Sequence, residues 1–206
     1  MVTKRGDGRL PKLAALVLIG LAAAVGTALA PDAGMASSKG PFGGFTGAPG
    51  EDTCRHCHDS FPLNVPGGLL TVSGFPEVYV PGETYAVTVI LASDSGEVWG
   101  FEATVLSDKR KRAGRLIAVD RDTTKVVPGV FLTTREYVVQ KKAGSYDGQR
   151  GSATWTFNWK APKKDKGPLT IYVAGNVGND NEQKTGDFIY AVQVTSQPAG
   201  DMSRER

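Results

Sequence analysis

Cysteine and histidine are scarce in this chain of 206 residues, which holds two of each. Two cysteines cannot build a disulfide framework. Two histidines do not supply a multi-histidine metal enzyme. No glycine period marks a collagen, no heptad run marks a coiled coil, and no internal repeat is present. The body also lacks net charge. Lys4, Arg5, Arg9 and Lys12 against Asp7 account for the formal +3, and beyond residue 30 the 20 basic and 20 acidic side chains cancel. A neutral body excludes a nucleic-acid binder whose affinity rests on neutralising phosphates. Nucleophile elbow, phosphate loop and dinucleotide fingerprint are missing as well. No catalytic residue and no substrate are expected.

What is present begins with an address. Four basic side chains precede an uncharged apolar stretch from Leu13 to Ala30, which ends Thr27-Ala28-Leu29-Ala30 before Pro31. Basic, apolar and small-residue regions in that order predict a secretory signal peptide over 1–30, cleaved after Ala30. An uncleaved membrane helix is the rival reading, with a length near the minimum for a span. Either way the sequence predicts an exported protein in the periplasm, at the cell surface or outside the cell.

Residues 31–64 are rich in glycine and proline, as in Gly40-Pro41-Phe42-Gly43-Gly44-Phe45-Thr46-Gly47-Ala48-Pro49-Gly50. Such composition predicts loop. From 65 to 195 the pattern becomes strand-like. Ser152 to Trp159 alternates strictly, with Ala153, Trp155, Phe157 and Trp159 against Thr154, Thr156 and Asn158. Period two marks a strand with one buried face. Further strands are predicted at 69–74, 84–91, 99–106, 115–119, 125–132, 135–140, 168–174 and 187–195. The fold class is therefore all-β: an immunoglobulin-like antiparallel β-sandwich preceded by a loop-rich segment. Its predicted core joins Trp155, Phe157 and Trp159 to Tyr85, Val87, Val89, Ile171, Val173, Tyr190 and Val192. The polar residues 196–206 are expected to be a disordered tail.

One motif carries chemistry. Cys54-Arg55-His56-Cys57-His58 is the attachment spacing for a c-type haem. Two thiols three residues apart match the two vinyl groups of a porphyrin edge, and the following imidazole reaches the iron from below. This reading expects one covalent haem c on Cys54 and Cys57, with His58 as proximal ligand. Candidates for the distal position are Met35 and, from a neighbouring molecule in a self-assembled array, His56. An open site, suited to an enzyme or gas sensor, is the other possibility. The expected function is then an exported mono-haem electron carrier whose partners are other redox proteins. The alternative is a structural or adhesive extracellular module in which Cys54 and Cys57 form a local disulfide. Zinc would need four ligands, and beyond these residues the chain has no further Cys or His.

Lesser features follow. Phe42, Phe45, Phe61 and Leu63 flank the motif, either shielding a cofactor or packing on the sandwich. Lys109-Arg110-Lys111-Arg112 with Arg115 reads as a solvated hairpin tip or a docking patch for an acidic partner. Asn176, Asn179, Asp180, Asn181 and Asp187 are rich in oxygen, but they lack EF-hand spacing, and calcium is not expected.

In order along the chain stand Thr46-Gly47-Ala48-Pro49-Gly50-Glu51, the cysteine motif, Tyr79-Val80-Pro81-Gly82-Glu83-Thr84-Tyr85, Gly100-Phe101-Glu102, Trp155-x-Phe157-x-Trp159-x-Ala161-Pro162, Val173-Ala174-Gly175-Asn176 and Gly186-Asp187. Over residues 44–194 this series resembles the bacterial reelin-type (Reeler), or choice-of-anchor V, proteins. The resemblance implies an exported protein built on an immunoglobulin-like sandwich.

Overall fold

The computed structural model describes residues 1–3, 40–131 and 134–200. The chain divides into two units, Met1–Asp32 and Ala33–Arg206. Of the first unit only Met1, Val2 and Thr3 are described, so the expected signal segment lies outside the described residues, as does Met35.

In the second unit, ten strands form two sheets: β1 (Gly68–Ser73), β2 (Val78–Tyr79), β3 (Thr84–Ser93), β4 (Val98–Ser107), β5 (Arg115–Ala118), β6 (Thr124–Pro128), β7 (Glu136–Gln140), β8 (Gly151–Lys160), β9 (Leu169–Gly178) and β10 (Phe188–Pro198). One sheet runs β1-β3-β8-β5, the other β2-β10-β9-β4-β7-β6. All pairings are antiparallel except β2 with β10. The all-β sandwich predicted from sequence is the fold. Two differences are local. β2 is a two-residue strand that is too short to show a period. β10 extends to Pro198, with Ser196 paired to Leu169 and fully buried, so the polar tail begins later than residue 196.

Alternation sets the core. Ala153, Trp155, Phe157 and Trp159 of β8 are buried, while Thr154 and Thr156 are exposed. Across the register Val87 meets Phe157 and Val89 meets Trp155. From the opposing sheet come Phe101, Ile171 and Val173. Phe101 stacks on Trp155 with ring centroids 4.5 Å apart. Tryptophan brings a polar N–H into the core, where it needs a partner. Trp155 donates to the Gly144 carbonyl, Trp159 to that of Ala113 and Trp99 to that of Gln149. Tyr85 and Val192, predicted as core, are partly buried at its margin.

The two sheets differ on their outer faces. The β1-β3-β8-β5 face meets solvent, with Leu69, Thr71, Ile90, Thr154 and Ile117 exposed. The face of the larger sheet is covered. In β4, Phe101, Ala103 and Val105 point into the core, yet Glu102 and Thr104 on the other side are also buried. The cover is the Gly/Pro-rich segment 40–64.

Candidate functional site

Residues 40–64 form a strap across the outer face of β10-β9-β4-β7. Glycine permits the close approach. A Cβ on Gly43 would lie 2.6 Å from Tyr137 Cδ2 and 2.7 Å from the Pro128 carbonyl. Gly43 instead forms a bridge with Gly129, and its carbonyl accepts the Val130 N–H. The chain then turns back on itself: Thr46 bridges Thr53, and the Gly47 N–H donates to Asp52 O at 2.8 Å.

Four polar attachments hold the strap. Glu102, fully buried on β4, accepts the N–H groups of Gly44 (2.5 Å) and Phe45 (3.0 Å) through Oε1. Arg135 reaches Glu51 Oε1 at 2.7 Å and the Pro49 carbonyl at 2.7 Å, and the Tyr137 hydroxyl donates to the same Glu51 oxygen. His58 Nδ1 lies 2.5 Å from Asp187 Oδ2, at the start of β10. Asn64 finishes the strap as a false strand: its N–H donates to Ile189 O, and its amide both accepts from and donates to Ala191.

The cysteine motif sits inside this strap. Thr53 Oγ1 accepts the Arg55 N–H and so caps a 3₁₀ turn over Cys54–His56. The His58 N–H closes onto Cys54 O at 3.0 Å, which brings the imidazole down toward Asp187. Cys54 Sγ faces the Phe45 carbonyl at 3.9 Å. Burial pushes its thiol pKa far up, and the nearby Glu102 adds to the effect. Cys57 is exposed, and both thiols are free. The local disulfide of the alternative reading is therefore not formed in this structure.

The remaining sequence candidates separate. His56 is exposed, pairs with Asp52 at 3.3 Å and lies beside the Phe45 ring. Phe61 stacks on Phe188 at 4.3 Å, which is packing on the sandwich, while Phe42 is 67% exposed. In the oxygen-rich loop, Asn179 and Asn181 donate to the Thr185 carbonyl, the bonding of a tight turn, and Asp187 accepts the Asn179 N–H through Oδ1 while its Oδ2 meets His58. Beside the strap a cleft of about 510 Å³ is lined by Phe42, Cys57, His58, Glu102, Asn176 and Asp187, among others.

Sequence reasoning missed Glu102, Arg135 and Asp187 as partners of the strap. No local signal marked Glu102: it alternates with Phe101 and Ala103 as a solvent-facing residue of a strand would, and only the strap buries it.

No family model matches the chain, and no curated protein matches it either. Among solved structures it is similar to the Reelin-N domain of F-spondin, at 18% identity over 69% of this chain and 96% of that one, with a TM-score of 0.44. It is also similar to a human F-spondin reeler domain, at 19% identity over 66% and 93%, TM-score 0.41. A third is a cohesin module from Clostridium perfringens, at 10% identity over 64% and 95%, TM-score 0.43.

The electron-carrying function expected from Cys54-x-x-Cys57-His58 is corrected by the site itself. The motif's groups are engaged in fastening the strap: the Cys54 sulfur against a backbone carbonyl, the His58 ring against Asp187, and the His56 ring against Asp52. Among the described residues no three His, Cys, Asp or Glu side chains gather so as to hold a metal ion. The motif is a turn of the clasp, with both of its thiols free.

Proposed function

We propose that this protein is an exported structural or adhesive module: a rigid β-sandwich that acts by contact and catalyses no reaction. The observation that carries the reading is how the strap's ionisable groups are used. Glu51, His58, Glu102, Arg135 and Asp187 all bond within the strap–sheet junction. Such pairs stiffen and specify a surface. The outer face bearing Leu69, Thr71, Ile90 and Thr154, with its charges Arg115 and Lys160 gathered at one end, supports an adhesive role, since its uncharged part forms contacts without desolvating charge. Export follows from the leader read in residues 1–30.

The test is to follow the full chain, tagged at its C-terminus, in its own cell. The reading expects the tag outside the cytoplasm, cross-linked to envelope or surface components, with an Ile90→Lys variant exported equally but cross-linked several-fold less. Retention of the tag in the cytoplasm, or cross-linking indifferent to Ile90→Lys, overturns it.

A further inference from the structure

Lining the cleft beside the strap are two residues, Glu102 and Asn176, that each keep a buried oxygen without a partner among the described residues. Glu102 uses Oε1 for the Gly44 and Phe45 N–H groups, and its Oε2 has no partner among the described residues. Asn176 Oδ1 is buried and unpartnered as well, while its Nδ2 stands 3.4 Å from His58 Nδ1. A buried acceptor left unmade costs about 1–3 kcal/mol, more when it is charged. The register places the two together. Gly100 on β4 stands opposite Asn176 on β9, and Glu102 is two residues along β4, on the same face. Diagonal neighbours of this kind have their side chains about 7–8 Å apart, within the span of one donor group between them. The Gln140 side chain lies over Gly100, where a Cβ would meet its Nε2 at 3.0 Å, and its Oε1 accepts the Phe101 N–H.

The chemistry of the missing partner follows. Asn176 Oδ1 is an acceptor, and Glu102 Oε2 becomes one when its carboxyl ionises, so the partner must be a donor. Among the described residues no cation bonds this carboxyl. Burial raises its pKa to about 8 and the nearby Glu51 charge adds to that, so a cationic donor that takes Oε2 displaces the proton and is bound more tightly as pH rises toward 8. Lys141, Lys142 and Lys184 line the cleft alongside Asp147, Asp180 and Glu182; Lys141 donates to the Arg121 carbonyl, and none of the three bonds Glu102 Oε2. A bare metal ion does not suit the set, because Asp187 is already committed to His58. Phe42, 67% exposed, and Phe45 line the cleft. An aromatic wall favours a cation on an apolar body.

We propose that this cleft is a binding site for a small organic ammonium ion, a primary amine on an apolar or aromatic body, whose N–H donors bridge Glu102 Oε2 and Asn176 Oδ1. The inference does not depend on where the protein resides or what its outer sheet face touches, so its failure leaves the module reading standing.

The probe is 2-phenylethylammonium, with neutral 2-phenylethanol as control, titrated calorimetrically into the full chain. The expected result is saturable binding of the amine, with the alcohol at least tenfold weaker. Glu102→Gln keeps an acceptor for Gly44 and Phe45 but turns into the cleft a donor that cannot ionise away, so amine affinity should fall at least tenfold at pH 8 while alcohol binding is unchanged. Asn176→Ala removes the second acceptor without touching the strap's backbone bonds and should weaken the amine several-fold. It carries the test if the Gln variant does not fold. No saturable binding of the amine, equal binding of amine and alcohol, or affinity unmoved in the folded variants overturns the proposal.

Discussion

His58 and Asp187 lie 129 residues apart in sequence and 2.5 Å apart in the fold, ring nitrogen to carboxylate oxygen. The carboxylate only accepts, so it holds a proton on Nδ1 and fixes the ring's orientation. Asp187 also accepts the Asn179 N–H at 3.3 Å, which ties the β9–β10 turn to the strap. This pair closes the strap at its cysteine end, as Glu102 and Arg135 close it nearer the glycine end.

The pair predicts a measurable coupling. In a double-mutant cycle of His58→Ala and Asp187→Ala, denaturant unfolding should give an interaction of about 1–3 kcal/mol, the range of a charge-assisted hydrogen bond. Strict additivity of the two single changes would show that the contact holds nothing.

Glu51 and Arg135 make the more buried attachment, 4% and 5% exposed. Removing one member leaves the other's charge uncompensated. Glu51→Gln and Arg135→Met should each destabilise by about 3–5 kcal/mol, and the double change should cost clearly less than their sum. Thermal unfolding of the three variants checks this.

Glu102 gives a pH dependence with a definite sign. Burial raises the folded carboxyl pKa to about 8 from an ordinary 4.5. Below 4.5 both states hold the proton, and this group's contribution is fully present. Between about 4.5 and 8 the unfolded chain binds fewer protons than the folded one, so stability falls as pH rises. Above 8 the loss levels off. Relative to Glu102→Gln, the wild-type chain should lose roughly 4–5 kcal/mol across that window. A difference independent of pH would place Glu102 in contact with water.

The same clasp was only half legible in the sequence. β8 could be read because one of its faces is wet: Thr154 and Thr156 mark the alternation that Trp155 and Phe157 complete. β4 was legible as a strand but not as a platform, since the strap buries its outer face and the polar residue there, Glu102, looks like any solvent-facing carboxylate. The Cys54–His58 spacing is local and was seen at once, but its environment comes from Glu102 and Asp187, far along the chain. Spacing alone favoured a cofactor, and the fold shows a capped turn packed on a sheet. Nothing periodic marks a two-residue strand such as β2, which exists because β10 offers an edge to Val78 and Tyr79.

The two thiols should behave differently. Cys57 is exposed, whereas the Cys54 sulfur faces the Phe45 carbonyl and is pushed toward the neutral thiol by burial. Thiolate is the reactive form. A disulfide reagent added to the native, reduced chain should label Cys57 rapidly and Cys54 at least tenfold more slowly, with the two rates converging in denaturant. Equal native rates would mean the turn is open.

Native-state hydrogen exchange of the strap tests the central claim most directly. The amides of Gly44 and Phe45 donate to a buried carboxylate, that of Gly47 to Asp52 and that of His58 to Cys54. A strap that is part of the sandwich should protect these four to within about tenfold of the amides at the β4–β9 pairing, because they open only when the sheet's outer face opens. Exchange at the rate of an unstructured peptide at these positions, with β9 still protected, would contradict the account.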